Sequence, residues 1–122
     1  PPYFPKDQLT DKPERFFVNE KLREKILMYY DKEIPYSVEI VTKEFKEEEN
    51  LIKIRTQILV ERESQKGIII GHKGSALKKI GTKARLDLEK FFDKKVFIDL
   101  HVKVSKNWRS NPNQLKKFGY KN

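Results

Sequence analysis

Apolar and polar residues alternate most strictly between Leu51 and Glu61, where Ile52, Ile54, Thr56, Ile58 and Val60 share one parity and Lys53, Arg55, Gln57 and Leu59 the other. A period of two puts successive side chains on opposite faces, so this run predicts a half-buried strand. The same alternation returns in Val96, Ile98, Leu100, Val102 and Val104 against Phe97, Asp99, His101 and Lys103, which predicts another strand with one buried face. A looser run from Ser37 to Phe45, holding Val38, Ile40, Val41 and Phe45, predicts the first strand of the three. Glu47-Glu48-Glu49-Asn50 joins it to the second as a polar turn, making a β-hairpin.

Helical spacing fills most of the remainder. From Ser75 to Phe92, Leu77, Ile80, Ala84, Leu88 and Phe91 recur at intervals of three and four, the mark of one buried stripe. Asp11 and Glu14 stand three apart around Pro13, as in a capping box with proline in the first turn. The helix they start is expected to run to Tyr30, with Phe16, Phe17, Ile26, Leu27 and Tyr30 on an apolar side and Glu20, Lys21, Arg23, Glu24 and Lys25 on a charged one. The Ile34-Pro35 step is expected to end any helix. Ser64 is expected to cap a short helix over Gln65–Ile70 that stops at Gly71. Near the end, Asn111-Pro112 reads as an N-cap and first helical residue and Gly119 as a C′ glycine, framing a short helix that turns Leu115 and Phe118 inward.

The hairpin makes strands one and two antiparallel. The helices between strands two and three form a crossover long enough for parallel pairing. The expected architecture is α+β: a three-stranded mixed sheet with helices packed on one face. Residues 1–9, with three prolines, read as a lead-in or linker, and residues 10–122 as one domain ending in a basic tail.

Charge sharpens the picture. The formal net charge is +9, which favours a polyanionic partner, either nucleic acid or an anionic membrane surface. From Lys66 to Arg85 there are six basic residues and no acidic one, whereas Glu47–Glu49 is a tip that phosphate should avoid. The absence of cysteine excludes disulfides and thiolate metal sites and fits a reducing cytoplasm. No apolar run approaches the roughly 20 residues of a membrane span. No carboxylate pair or Ser/His/Asp set reads as catalytic, His101 has no ligand partner in view, and Trp108 reads as a packing anchor for the tail.

The candidate chemistry lies in Ile69–Ile80, where Gly71-His72-Lys73-Gly74 separates two helices. Glycines permit positive φ and close approach of another backbone. A helix that begins just after Gly74 aims its free N–H groups and positive dipole end at whatever sits over the loop, and the natural occupant is a phosphate. A plain inter-helix turn is the competing reading of the loop, a solvated face that of Lys83 and Arg85, and core that of Ile69 and Ile70.

Helix–GxxG–helix in this order resembles the KH domain family in its type II arrangement. Pro35-Tyr36-Ser37-Val38, Ile58-Leu59-Val60-Glu61-Arg62-Glu63, Ile70-Gly71-His72-Lys73-Gly74, Lys78-Lys79-Ile80-Gly81, Val102-Lys103-Val104, Trp108 and Phe118-Gly119-Tyr120 together resemble the C-terminal KH domain of Era-like GTPases. The resemblance implies single-stranded RNA as partner, at the 3′ end of small-subunit (16S) ribosomal RNA, in assembly of that subunit. It implies that Gly71, His72, Lys73 and Gly74 hold phosphates, and that Ser75 brings the helix N-terminus to them. It also implies that Ile69, Ile70 and Leu77 floor a groove for bases, with Lys66, Lys78 and Lys79 contacting flanking phosphates.

In that family GTP and Mg²⁺ bind a separate domain. This chain has no Gly-x-x-x-x-Gly-Lys-Ser/Thr, since the fifth residue after Gly67 is His72, and no Asn-Lys-x-Asp. No cofactor and no enzymatic activity are therefore expected of it. A cytoplasmic monomer is expected, with peripheral contact at the inner face of the cell membrane as a lesser alternative. Two other readings compete: a module that docks on the GTPase domain or a ribosomal protein, and a KH domain of another RNA-binding protein.

Overall fold

The computed structural model describes residues 12–31 and 33–106. In order they form α1 (Lys12–Tyr29), α2 (Glu33–Tyr36), β1 (Glu39–Glu47), β2 (Leu51–Val60), α3 (Glu63–Ile70), a 3₁₀ turn (His72–Gly74), α4 (Ser75–Phe92) and β3 (Lys95–Val104). The lead-in, Asp11, Trp108 and the closing helix expected between Pro112 and Gly119 lie outside the described residues.

The sheet runs β1-β2-β3, with β1 antiparallel and β3 parallel to the central β2. The even-numbered residues of β2, from Ile52 to Val60, are all under 2% exposed and form the sheet's half of the core. A bulge between Thr42 and Glu44 explains why β1 alternates poorly in sequence. One extra residue reverses the parity, so odd-numbered Phe45 packs on the same core as even-numbered Ile40. Beside the bulge, Thr42 donates to Asn19 Oδ1 at 2.6 Å. With that proton committed, Thr56 is the donor in the 3.1 Å contact between the two threonine hydroxyls.

The helices differ from expectation in which residues they bury. On α1 the inward stripe is Val18, Leu22, Lys25 and Ile26, while Phe16 and Leu27 face solvent. On α4, Phe91 is exposed and Phe92 packs on the core. Phe91 instead stacks on Phe17 of α1, with ring centroids 4.0 Å apart. The Ile34-Pro35 step lies inside α2 rather than ending a helix. That helix is one turn long, and proline's missing N–H falls where no intrahelical partner is needed. Nor does Ser64 cap α3, which begins at Glu63. Gln65 Oε1 does so, accepting the N–H groups of Glu61 at 3.1 Å and Arg62 at 3.0 Å.

Candidate nucleic-acid interface

The loop after α3 is bent by three left-handed residues. Gly71 sits at φ 77°, ψ −179°, a region essentially closed to other residues. A Cβ added there would stand 2.6 Å from Ala76 Cβ and 2.9 Å from Ala76 N, so the loop backbone lies directly against the first turn of α4. Lys73 takes φ 54°, ψ 29°, and Gly74 φ 79°, ψ 7°. For Lys73 that conformation costs about 1 kcal/mol or more. The bend ends at Ser75, whose N–H closes the 3₁₀ turn on the His72 carbonyl, as the Gly74 N–H does on that of Gly71 at 3.2 Å, and α4 runs on from there. His72, Lys73 and Ser75 are exposed on this bend.

Below the loop a cleft of about 420 Å³ opens between α4 and β3. Its helical wall is Gly74, Leu77, Lys78, Gly81, Thr82 and Arg85, one face at the i, i+4, i+8 spacing. Its other wall is Val96, Phe97, Ile98 and Leu100. Among the described residues β3 is an edge strand, and its outer side presents backbone N–H and C=O groups that no fourth strand of them pairs. Gly81 permits the close approach of helix and strand, because a Cβ there would lie 3.3 Å from Leu100 Cδ1. No carboxylate lines this cleft.

Glu89 closes the lower end. Its carboxylate accepts the Val96 N–H at 3.0 Å and the Arg85 guanidinium at 3.0 Å. The Val96 N–H, aided by Arg85, holds that carboxyl below the ordinary glutamate range. Past Arg85 and Phe97 a second, more open hollow continues to Lys53 and Lys95.

Of the residues implicated by sequence, Gly74, Leu77 and Lys78 line the cleft, and Gly71, His72 and Lys73 form the loop at its head. Ile69 does not belong there. It is 0% exposed within the hydrophobic core, so no base can rest on it. Ile70 is half-buried at the loop's edge, and Lys66 half-buried on α3, outside the cleft lining. Lys79 points toward α1, its ammonium 4.4 Å from the centre of the Tyr29 ring.

Sequence reasoning put the apolar floor on Ile69 and Ile70 of α3 together with Leu77 of α4. The structure supplies it from Leu77, Ile98 and Leu100. Gly81, Thr82 and Arg85 were legible by stepping four residues from Leu77 and Lys78, and a glycine inside a helix signals close approach. The β3 wall had no such signal, because it depends on which strand forms the edge. His101 pairs with Asp99 at 3.0 Å, and among the described residues no group of three or more His, Asp or Glu could hold a metal ion.

An α+β domain whose two-glycine loop heads a helix–strand cleft is a nucleic-acid-binding class of fold. The KH domain family model matches residues 33–109, and the chain belongs to that family.

Its relatives are longer proteins. The chain is 56% identical to GTPase Era of Syntrophus aciditrophicus (strain SB), over 98% of this chain and 40% of that protein. It is 55% identical to GTPase Era of Geotalea uraniireducens (strain Rf4), over 98% of this chain and 41% of that protein. The chain thus spans about 40% of the length of the curated relatives it matches. The fold is similar to that in a crystal structure of Era in complex with MgGDPNP and nucleotides 1506–1542 of 16S ribosomal RNA, with TM-score 0.82 and 41% identity, covering 98% of this chain and 41% of that one. A variant of Aquifex aeolicus Era bound to GDP.AlF4- is similar to the same degree, with TM-score 0.82, 41% identity, and 98% and 41% covered.

Proposed function

We propose that residues 10–122 are the single-stranded RNA-binding unit of an Era-like GTPase, gripping the 3′ end of 16S ribosomal RNA during assembly of the small ribosomal subunit in the cytoplasm. The observation that carries this reading is the strained loop at the head of a cleft lined by Lys78 and Arg85, with the Glu89 carboxylate confined to its closed end. The His72 and Lys73 N–H groups, which close no hydrogen bond of the turn, take phosphates, and the Lys73 side chain adds charge beside them. Lys78 and Arg85 extend the cationic rim, while Leu77, Ile98 and Leu100 offer an apolar bed to unstacked bases. The free edge of β3 supplies donors and acceptors for base edges, which separates positioning by phosphate from reading of sequence.

The loop does not fit a magnesium nucleotide. It lacks a Gly-Lys-Ser/Thr run, the donor set that holds a triphosphate and Mg²⁺. GTP binding and hydrolysis therefore belong to the part of the relatives that this chain does not span.

The test is fluorescence anisotropy with an oligonucleotide copying the 16S 3′ end and a scrambled control. The chain should prefer the copy, with an affinity that falls with salt by roughly 0.7 log units per log unit of salt for each phosphate neutralised. The double variant His72→Asp, Lys73→Asp should lose at least tenfold. Equal binding of copy and scramble, unaffected by the double variant, overturns the reading.

A further inference from the structure

The end of α1 reaches the two helices that flank the GxxG loop. Tyr30, half-buried just after α1, donates its hydroxyl to the backbone carbonyl of Ile69 at 2.5 Å, across 39 residues of sequence. That carbonyl belongs to the last turn of α3, where four C=O groups have no intrahelical N–H. Gly67 C=O takes the Gly71 N–H at 2.9 Å. Ile69 has no comparable local donor among the backbone bonds of the turn. Its side chain is 0% exposed, so the carbonyl lies where an orphaned acceptor is costly. Burial raises the Tyr30 hydroxyl to about 12, so it remains a proton donor at any pH at which RNA is bound. Next to it, the Tyr29 ring lies under the Lys79 ammonium on α4. One helix end thus touches α3 immediately before the loop and α4 immediately after it.

We infer that Tyr30 is a positioning residue for the RNA-binding loop: it caps the last turn of α3 from outside and so sets the angle at which Gly71–Gly74 leaves that helix. The inference deepens the RNA-binding reading and rests on it for its consequence, though not for its geometry. Tyr30 touches no ligand. The phosphate-facing N–H groups are rigid only if the carbonyl two residues before Gly71 is held, and a water inserted there would let the loop rock without unfolding the domain.

The test is Tyr30→Phe in the full chain, which keeps the ring in place and removes only the hydroxyl. Ile58→Val serves as a control that weakens the core and leaves the Tyr30–Ile69 hydrogen bond in place. Three quantities are read: thermal stability, affinity for the 16S 3′-end oligonucleotide, and amide hydrogen exchange of Gly71, Lys73 and Gly74. The expected result is a melting temperature within a few degrees of that of Ile58→Val, faster exchange at the loop amides only in Tyr30→Phe, and an RNA affinity about fivefold weaker only in Tyr30→Phe.

Loop exchange and affinity unchanged from wild type overturn the inference. So does a loss that Ile58→Val reproduces, because the hydroxyl would then act through global stability alone. If the wild-type chain binds no RNA, the RNA-binding reading fails, and loop exchange still decides whether Tyr30 positions the loop.

Discussion

Helix α4 carries charge on both flanks, and the flanks handle it in opposite ways. Toward α1, the Lys25 ammonium is 8% exposed as a residue and lies 2.6 Å from Asp87, with Glu24 at 3.1 Å. Lys21 stands 3.8 Å from the same Asp87 carboxylate, and Phe17 stacks on Phe91 below. Toward β3, Lys78 has no ion pair among the described residues, and Arg85 pairs only with Glu89 at the closed end. A buried cation left unmatched is strongly destabilising, so the α1 flank is neutralised by carboxylates. An exposed unmatched cation costs little and remains available to a phosphate. The same residue types thus fasten the domain on one side and line the proposed RNA cleft on the other, and the placement of carboxylates decides which.

The two loop glycines test the binding flank most severely. Gly71→Ala adds a Cβ against Ala76 at a φ of +77°, and should cost about 3 kcal/mol in chemical denaturation and abolish RNA binding. Gly74→Ala meets nothing within 4 Å and should cost only about 1 kcal/mol. Equal costs would mean that the Gly71–Ala76 contact does not constrain the loop.

The fastening flank comes next. Asp87→Ala should lose about 2 kcal/mol by leaving Lys25 with Glu24 alone, yet change RNA affinity less than twofold. Its pH dependence follows from the shifts. Lys25 holds the Asp87 carboxyl below its ordinary value, so this stability is present above the unfolded aspartate pKa and is lost as pH falls through the folded one. Asp87 in turn raises Lys25, so that share is present below the ordinary lysine pKa and is lost as pH rises through the raised value. Urea midpoints across pH should show wild type converging on Asp87→Ala at both ends; a constant gap would show that the pair does not carry the difference.

Lys78→Ala should do the converse, weakening RNA binding about threefold to tenfold and lowering the salt slope by about 0.7, with an unchanged melting curve. The smallest effect has opposite signs on the two properties. Lys73→Gly removes a left-handed non-glycine residue and should stabilise the fold by up to about 1 kcal/mol while reducing RNA affinity a few fold. A destabilised Lys73→Gly would mean that the lysine is not strained there.

Much of this was readable along the chain. The alternation in β2 and β3, the helix from Ser75 to Phe92 and the two loop glycines are signals carried by neighbours within a few residues. What escaped was rotational. Ile69 and Ile70 are adjacent apolar residues, and only packing against Tyr30 and the core turns the first inward and leaves the second at the loop. Phe91 and Phe92 are the same case on α4. Lys25 looks like surface in any periodic reading, since nothing local shows that Asp87, 62 positions away, will match it.

By itself, then, the sequence determined the three strands, the helices α1, α3 and α4, their order, the mixed sheet and the place of the two-glycine loop, because backbone preference and hydrophobic period are local properties; the one-turn α2 escaped it. The tertiary structure decided which flank of α4 faces β3. Gly81, Thr82 and Arg85 thereby join Phe97, Ile98 and Leu100 as walls of one cleft, and Lys79 turns away toward Tyr29. The physical reason is that one residue turns a helix by 100°: periodicity fixes the spacing of the faces, and only the packed partner fixes where each of them points.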